Sequence, residues 1–209
     1  MASSRNLLGL AILAVLSACG KPAPGVARGK VLFYGCLSCH MEDGSGNAAV
    51  GAPAIAGLPK WYIEAQLHKF KSGYRAWLPG DTNGLKMRPM TLTLVDDADV
   101  TSVAQYIASM PPVAHPVATV SGDATAGKAT FAVCGSCHGP DGKGNEAVHG
   151  PPLITTGDWY LAGQLTKFKS GLRGTHPADQ TGATMRAVTG VLTDQTAINN
   201  VVAYIDTLH

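Results

Sequence analysis

The stretch GCLSCHMEDGSGN, residues 35–47, sets two cysteines and a histidine into five consecutive positions, and VCGSCHGPDGKGN, residues 133–145, does so again. The second copy follows the first at an offset of 98 residues, and that offset holds far beyond the two motifs. Gly29 falls on Gly127, Cys36 on Cys134, His40 on His138, Trp61-Tyr62 on Trp159-Tyr160, and Phe70-Lys71-Ser72-Gly73 on Phe168-Lys169-Ser170-Gly171. Met87-Arg88 falls on Met185-Arg186 and Tyr106-Ile107 on Tyr204-Ile205, with no gap needed. A repeat this long is a duplicated domain rather than a solenoid unit. PPVAHPVATVSG, residues 111–122, joins the copies as a stiff, proline-containing connector.

The thiol pairs admit three chemistries. A disulfide can close within Cys-x-x-Cys in an oxidising compartment, and a zinc site needs a further ligand cluster at suitable spacing. Cys-x-x-Cys-His is also the attachment motif of a c-type haem. In that reading Cys36 with Cys39, and Cys134 with Cys137, reach the two vinyl groups as thioethers, while His40 and His138 set an imidazole under each iron. Only haem accounts for a histidine after both pairs and a methionine recurring downstream. Met87 and Met185 coincide under the offset, each 51 residues after the first motif cysteine, whereas Met90 falls on Val188. That selects Met87 and Met185 as candidates for the sixth position of the iron, each in a loop ahead of the final helix. A core-packing methionine is the alternative for any single residue. A thioether favours ferrous iron and closes it to substrates. His68, His115, His149, His176 and His209 have no histidine counterpart and read as surface histidines, with His149 and His176 as competitors for iron if the methionines fail.

The bulk numbers fit two small globular domains. A chain of 209 residues that is 45% hydrophobic and 14% charged can bury a real core. A net charge of +2 spread along the chain excludes a sequence-wide field for nucleic acid. Residues 1–18 carry one basic residue, Arg5, and then the apolar run LLGLAILAVLSA, as in a secretory signal. That run is shorter than the roughly 20 residues a bilayer span needs. Leu16-Ser17-Ala18-Cys19 resembles the bacterial lipoprotein cleavage box, which implies acylation of Cys19 and a tether over residues 19–28. An ordinary signal peptide with an incidental cysteine is the alternative. With four thiols used as thioethers and Cys19 as the lipid site, all five cysteines are accounted for.

The periodicity predicts helices and no strands. A short helix should run into each motif, over 26–34 and 124–133. A second should span about 60–71 and 158–169, with Ile63, Leu67 and Phe70 matched by Leu161, Leu165 and Phe168 at helical spacing. The last should start at an aspartate cap, Asp96-Asp97-Ala98-Asp99 or Thr193-Asp194, and show Val100, Val103 and Ile107, echoed by Ile198, Val201 and Ile205. The segments between are rich in Gly, Pro, Asn and Thr, and something must hold them in place.

On CLSCH, CGSCH, the methionine segments and the pairs Gly29 with Phe33 and Gly127 with Phe131, the chain resembles the class I cytochromes c and, being duplicated, the dihaem cytochrome c4 type. The resemblance implies an all-α fold of two tandem domains, 29–110 and 123–209, each wrapped around one covalent haem c. It implies that the glycine and phenylalanine of the first helix pack on Tyr106 or Tyr204. It also implies a turn whose proline carbonyl accepts the histidine Nδ1 hydrogen, which makes Pro53 and Pro151 candidate orienting residues. Gly150-Pro151-Pro152-Leu153 fits that turn, while Ala52-Pro53-Ala54-Ile55 departs from it by an alanine.

The implied function is electron transfer on the periplasmic side of a bacterial membrane, anchored through Cys19. The expected partners are redox proteins, a quinol-oxidising complex or dehydrogenase on one side and a terminal oxidase or reductase on the other, with no nucleic acid. The expected role is carrier rather than enzyme. The alternatives are a dihaem peroxidase-like enzyme or the haem subunit of a larger respiratory complex. Trp61, Trp159, Arg75, Arg88, Arg173 and Arg186 are lesser candidates for lining haem or pairing with its propionates. Lys69, Lys71, Lys167 and Lys169 read as a solvated helix face.

Overall fold

The computed structural model describes residues 23–113 and 118–208. The leader, Cys19, His115 and His209 lie outside the described residues. Among those described are nine α-helices and no strand, only isolated bridges at Asn47–Ala52 and Asn145–Gly150. None of these helices is long and apolar enough to cross a membrane.

In the first half α1 (Val26–Phe33) and the single turn α2 (Leu37–His40) carry the thiol motif, followed by α3 (Lys60–Lys71), α4 (Thr82–Thr91) and α5 (Asp97–Ala108). The core forms where α1 crosses α5, and α3 packs on α5 from the side through Ile63 and Leu67. The crossing is close because residue 29 is glycine: a Cβ there would lie 1.9 Å from the Ser102 carbonyl oxygen. Phe33 meets Tyr106 beside it, ring centroids 5.3 Å apart at 63°. Asp96 caps α5 by accepting the Asp99 amide at 2.9 Å.

The second half repeats this with α6 (Ala124–His138), α7 (Asp158–Lys169), α8 (Gln180–Val188) and α9 (Gln195–Ile205). A Cβ on Gly127 would likewise lie 1.9 Å from the Asn200 carbonyl oxygen, and Phe131 meets Tyr204 with ring centroids 5.2 Å apart. One difference is plain. α6 continues through the motif to His138, whereas α1 stops at Phe33 and the chain tightens into three-residue turns before α2. Gly35 stands in that break, where the second half has Val133, and glycine inside a helix costs about 1 kcal/mol relative to alanine.

The methionine segments are not the loops expected. Met87 lies in α4 and Met185 in α8, each helix started by an aspartate cap, Asp81 on the Gly84 amide and Asp179 on the Gly182 amide. Glycine, proline and threonine content hid these helices. Pro89 is tolerated near the end of α4, and the caps supply what propensity lacks.

The two halves meet through α3, α7 and the turns that follow them, and the lysine, arginine and glutamine contacts obey the 98-residue offset. Lys69 pairs with Asp179 at 2.6 Å and Lys167 with Asp81 at 2.5 Å. Arg75 donates to Gln66 and Gln164, and Arg173 donates to the same two oxygens. Tyr74 stacks on His176 at 4.7 Å, and Trp77 Nε1 donates to Thr175. Lys69 and Lys167 are therefore interface residues rather than a solvated face. Lys71 and Lys169 are tied down too, donating to the Leu94 and Leu192 carbonyls.

Candidate functional site

Each half opens a cleft beneath its thiol motif, about 1350 Å³ in the first and 1290 Å³ in the second with the mouth included. Cys36, Cys39, His40, Pro53 and Met87 line the first, and Cys134, Cys137, His138, Pro151 and Met185 the second. The four thiols are unbridged. Burial pushes the Cys36 thiol up to about 11, with Cys39 adding to the rise, and burial raises Cys134 as well. Met90 also reaches the first cleft, where Val188 stands in the second.

The histidines are held for ligation. His40 Nδ1 lies 2.9 Å from the Pro53 carbonyl and His138 Nδ1 lies 2.7 Å from that of Pro151. A proton on Nδ1 serves that bond and leaves the Nε2 lone pair free. Burial lowers both imidazole pKa values more than the carbonyls raise them, so the neutral form is favoured. The turn behind each proline is enforced by Gly46 and Gly144, which sit at φ 79 and 88 against the Pro53 and Pro151 backbone, where a Cβ would approach the proline carbonyl carbon within 2.4 and 2.9 Å. The alanine at position 52 does not disturb the first turn.

Behind the clefts lies a shared wall. Tyr62, Gln66, Tyr160 and Gln164 line both clefts, with Arg75 facing the first and Arg173 the second. Both guanidiniums are buried, each over a phenylalanine, Phe70 at 4.1 Å and Phe168 at 4.4 Å. The hydrogen-bond partners of Arg75 are all neutral, and its Nε is buried with none. Burial would raise the Tyr160 hydroxyl, but Arg75 and Arg173 outweigh it and hold it below the ordinary tyrosine value. A buried cation with a spare donor at a cleft wall asks for an anion. Two thiols, a neutral imidazole, a thioether and that cation fit a tetrapyrrole bearing carboxylates.

The wall was not singled out in the sequence as a unit. Its signal was present, because Tyr62, Gln66 and Asp81 recur as Tyr160, Gln164 and Asp179 under the same offset as the motifs. The lesser candidates divide. Arg75 and Arg173 line the clefts, but Trp61, Trp159, Arg88 and Arg186 do not. Trp61 packs on Tyr62 and His149 instead. His149 sits at the mouth of the second cleft, and His176 is held in the Tyr74–Trp77 stack.

The cytochrome c family model matches residues 26–111 and again 124–209. The chain belongs to the cytochrome c family. It is 32% identical over 212 residues to a cytochrome c4 of Azotobacter vinelandii, covering 97% of this chain and 96% of that one. The reduced recombinant cytochrome c4 of Pseudomonas stutzeri superposes with a TM-score of 0.69 at 28% identity, covering 90% of this chain and all of that one. A thiosulfate dehydrogenase of Marichromatium purpuratum, in its as-isolated form, gives a TM-score of 0.71 at 29% identity, covering 87% of this chain and 40% of that one. As a cytochrome c with two such domains, the protein carries two covalently bound haem c groups and transfers electrons.

Proposed function

We propose that Cys36 with Cys39 and Cys134 with Cys137 hold the haems as thioethers, that His40 and His138 bind iron through Nε2, and that Met87 and Met185 fill the sixth positions. The bound haem supplies a one-electron couple at iron. Pro53 and Pro151 fix the imidazole planes, the apolar lining excludes water, and Arg75 and Arg173 neutralise the propionates from the wall. The observation that carries this reading is the pairing of each buried imidazole Nδ1 with a proline carbonyl in a cleft that also contains both motif thiols and the repeated methionine. Histidine and methionine retained in both oxidation states would let the iron change charge with little rearrangement.

The protein then relays single electrons on the periplasmic side of a bacterial membrane, held there through Cys19. The partners are a quinol-oxidising complex or dehydrogenase on the donor side and a terminal oxidase or reductase on the acceptor side. An anchor confines diffusion to the membrane plane and raises the effective concentration of integral partners. The likeness to thiosulfate dehydrogenase favours a second reading of the donor side, a sulfur-oxidising dehydrogenase that this chain serves as acceptor or subunit.

The test is the optical spectrum of the ferrous holoprotein before and after carbon monoxide. Two haems that ignore the gas are expected. A shift in half or all of the signal would mean an open iron and would replace the carrier reading with catalysis or gas binding.

A further inference from the structure

The helices that carry the two methionines begin on buried aspartates, and the halves complete these caps for one another. Asp81 accepts the Gly84 amide at 3.1 Å, and Asp179 accepts the Gly182 amide at 3.0 Å. Both carboxylates are 1% exposed. The fit is tight, because a Cβ on Gly84 or Gly182 would lie 2.3 or 2.1 Å from the capping carboxylate. Met87 follows Asp81 by less than two helical turns, and Met185 follows Asp179 at the same interval. The seat of the cap therefore sets where each sulfur stands.

The cation on each cap comes from the opposite half. Lys167, on α7, reaches Asp81 Oδ1 at 2.5 Å. Lys69, on α3, reaches Asp179 Oδ1 at 2.6 Å and donates to Thr181 in the first turn of α8 as well. Both lysine side chains are less than one-fifth exposed, and each lysine lines the cleft of the other half, Lys167 the first and Lys69 the second. Removing the cation from such a pair leaves a buried charge without compensation, a cost that exposed pairs do not carry.

We propose that Lys167 is a positioning residue for Met87 and Lys69 for Met185, so that docking of the two halves is built into each iron site. The inference rests on the ligand roles proposed above. Neither lysine touches iron; each acts through the capping aspartate of a helix in the other half.

The experiment is proton NMR of the ferrous holoprotein, in which a methionine methyl held over a haem face is shifted far upfield by the ring current. Met87→Ala and Met185→Ala assign the two signals. Lys167→Met is expected to move the Met87 signal and leave that of Met185 in place, and Lys69→Met to do the reverse. In the ferric protein Lys167→Met should make added imidazole bind the first iron about fivefold more tightly, as its sulfur is held less firmly. Lys167→Arg should restore both readouts. The proposal is overturned if Lys167→Met moves neither signal, or moves only that of its own half. If the unaltered protein shows no upfield methionine methyl, the ligand assignment itself is wrong and this proposal goes with it. Lys167→Gln keeps the experiment decisive should the methionine variant not fold.

Discussion

The first half ties its terminal helices with a buried ion pair, the second with an aspartate cap and a hydrogen bond. Arg28 on α1 and Asp99 on α5 form a buried ion pair, with Nε 2.7 Å from Oδ1, and Asp99 also accepts the Val95 amide at 3.0 Å. The offset sets Ala126 and Ala197 at these positions in the second half. There the first helix is secured at its start. Asp123 caps α6 on the Thr125 and Ala126 amides, and its own amide donates to Asn200 on α9. α1 has no side-chain cap, and the Gly25 amide donates to Ser102 on α5 at 3.1 Å. The clefts are near copies and the frames around them are not. A site with strict demands can thus be kept while its scaffold is held by different forces.

The sharpest way to break the comparison is Arg28→Ala. It strands the Asp99 carboxylate and should destabilise the first half by about 3–5 kcal/mol while sparing the second. Calorimetry of the holoprotein would then resolve two transitions, of which only one has moved. A single transition lowered as a whole would show that the interface makes the halves one cooperative unit.

Position 52/150 gives the next test. A Cβ on Gly150 would lie 2.0 Å from the Cys137 carbonyl, yet Ala52 is accommodated in the first half, 8% exposed, after the α1–α2 break. Gly150→Ala should cost about 1–3 kcal/mol and disturb the Pro151 turn, whereas Ala52→Gly should cost about 1 kcal/mol or less. Equal effects in urea unfolding would mean that the two motif paths are interchangeable.

The smallest effect is expected at Asp158, which accepts the Thr119 and Val120 amides of the connector and for which the first half offers Lys60. Burial would raise its pKa, but the amides of Val120, Thr119 and Trp159 hold it below the ordinary carboxylate value. Its contribution to stability is therefore complete above about pH 4 and is lost as pH falls through the depressed folded value. Asp158→Asn should lower stability at neutral pH by about 1 kcal/mol, with the difference from the unaltered protein shrinking below about pH 4. A difference that persists at low pH would assign it to packing instead.

How far these features could be read in advance varied with their physics. Helical period and aspartate caps are local, so α3, α7 and the starts of α5 and α9 stood where the apolar spacing predicted. The thiol motifs and the paired methionines were equally legible because the chain repeats. α4 and α8 escaped because glycine and threonine, with proline in α4, interrupt them and hide the helical period, although Asp81 and Asp179 cap them as locally as Asp96 caps α5. Lys69 and Lys167 looked like solvent-facing positions, since nothing within one helix reveals what the other half brings against it. The tryptophans do not line the clefts for a related reason: a large ring at a helix start needs cover, and Trp61 finds it on Tyr62 and His149.

The contact between the halves has one more consequence. Tyr62, Gln66, Lys69, Arg75 and Asp81 all reappear, unchanged in type, as Tyr160, Gln164, Lys167, Arg173 and Asp179. Lysine meets aspartate twice, once in each direction, as in an isologous homodimer related by a two-fold axis. A half expressed alone thus carries both sides of these five-residue polar contacts, though not of the Tyr74–His176 stack. The gene reads as a dimer made permanent by fusion, in which the connector replaces concentration as the force that brings the copies together.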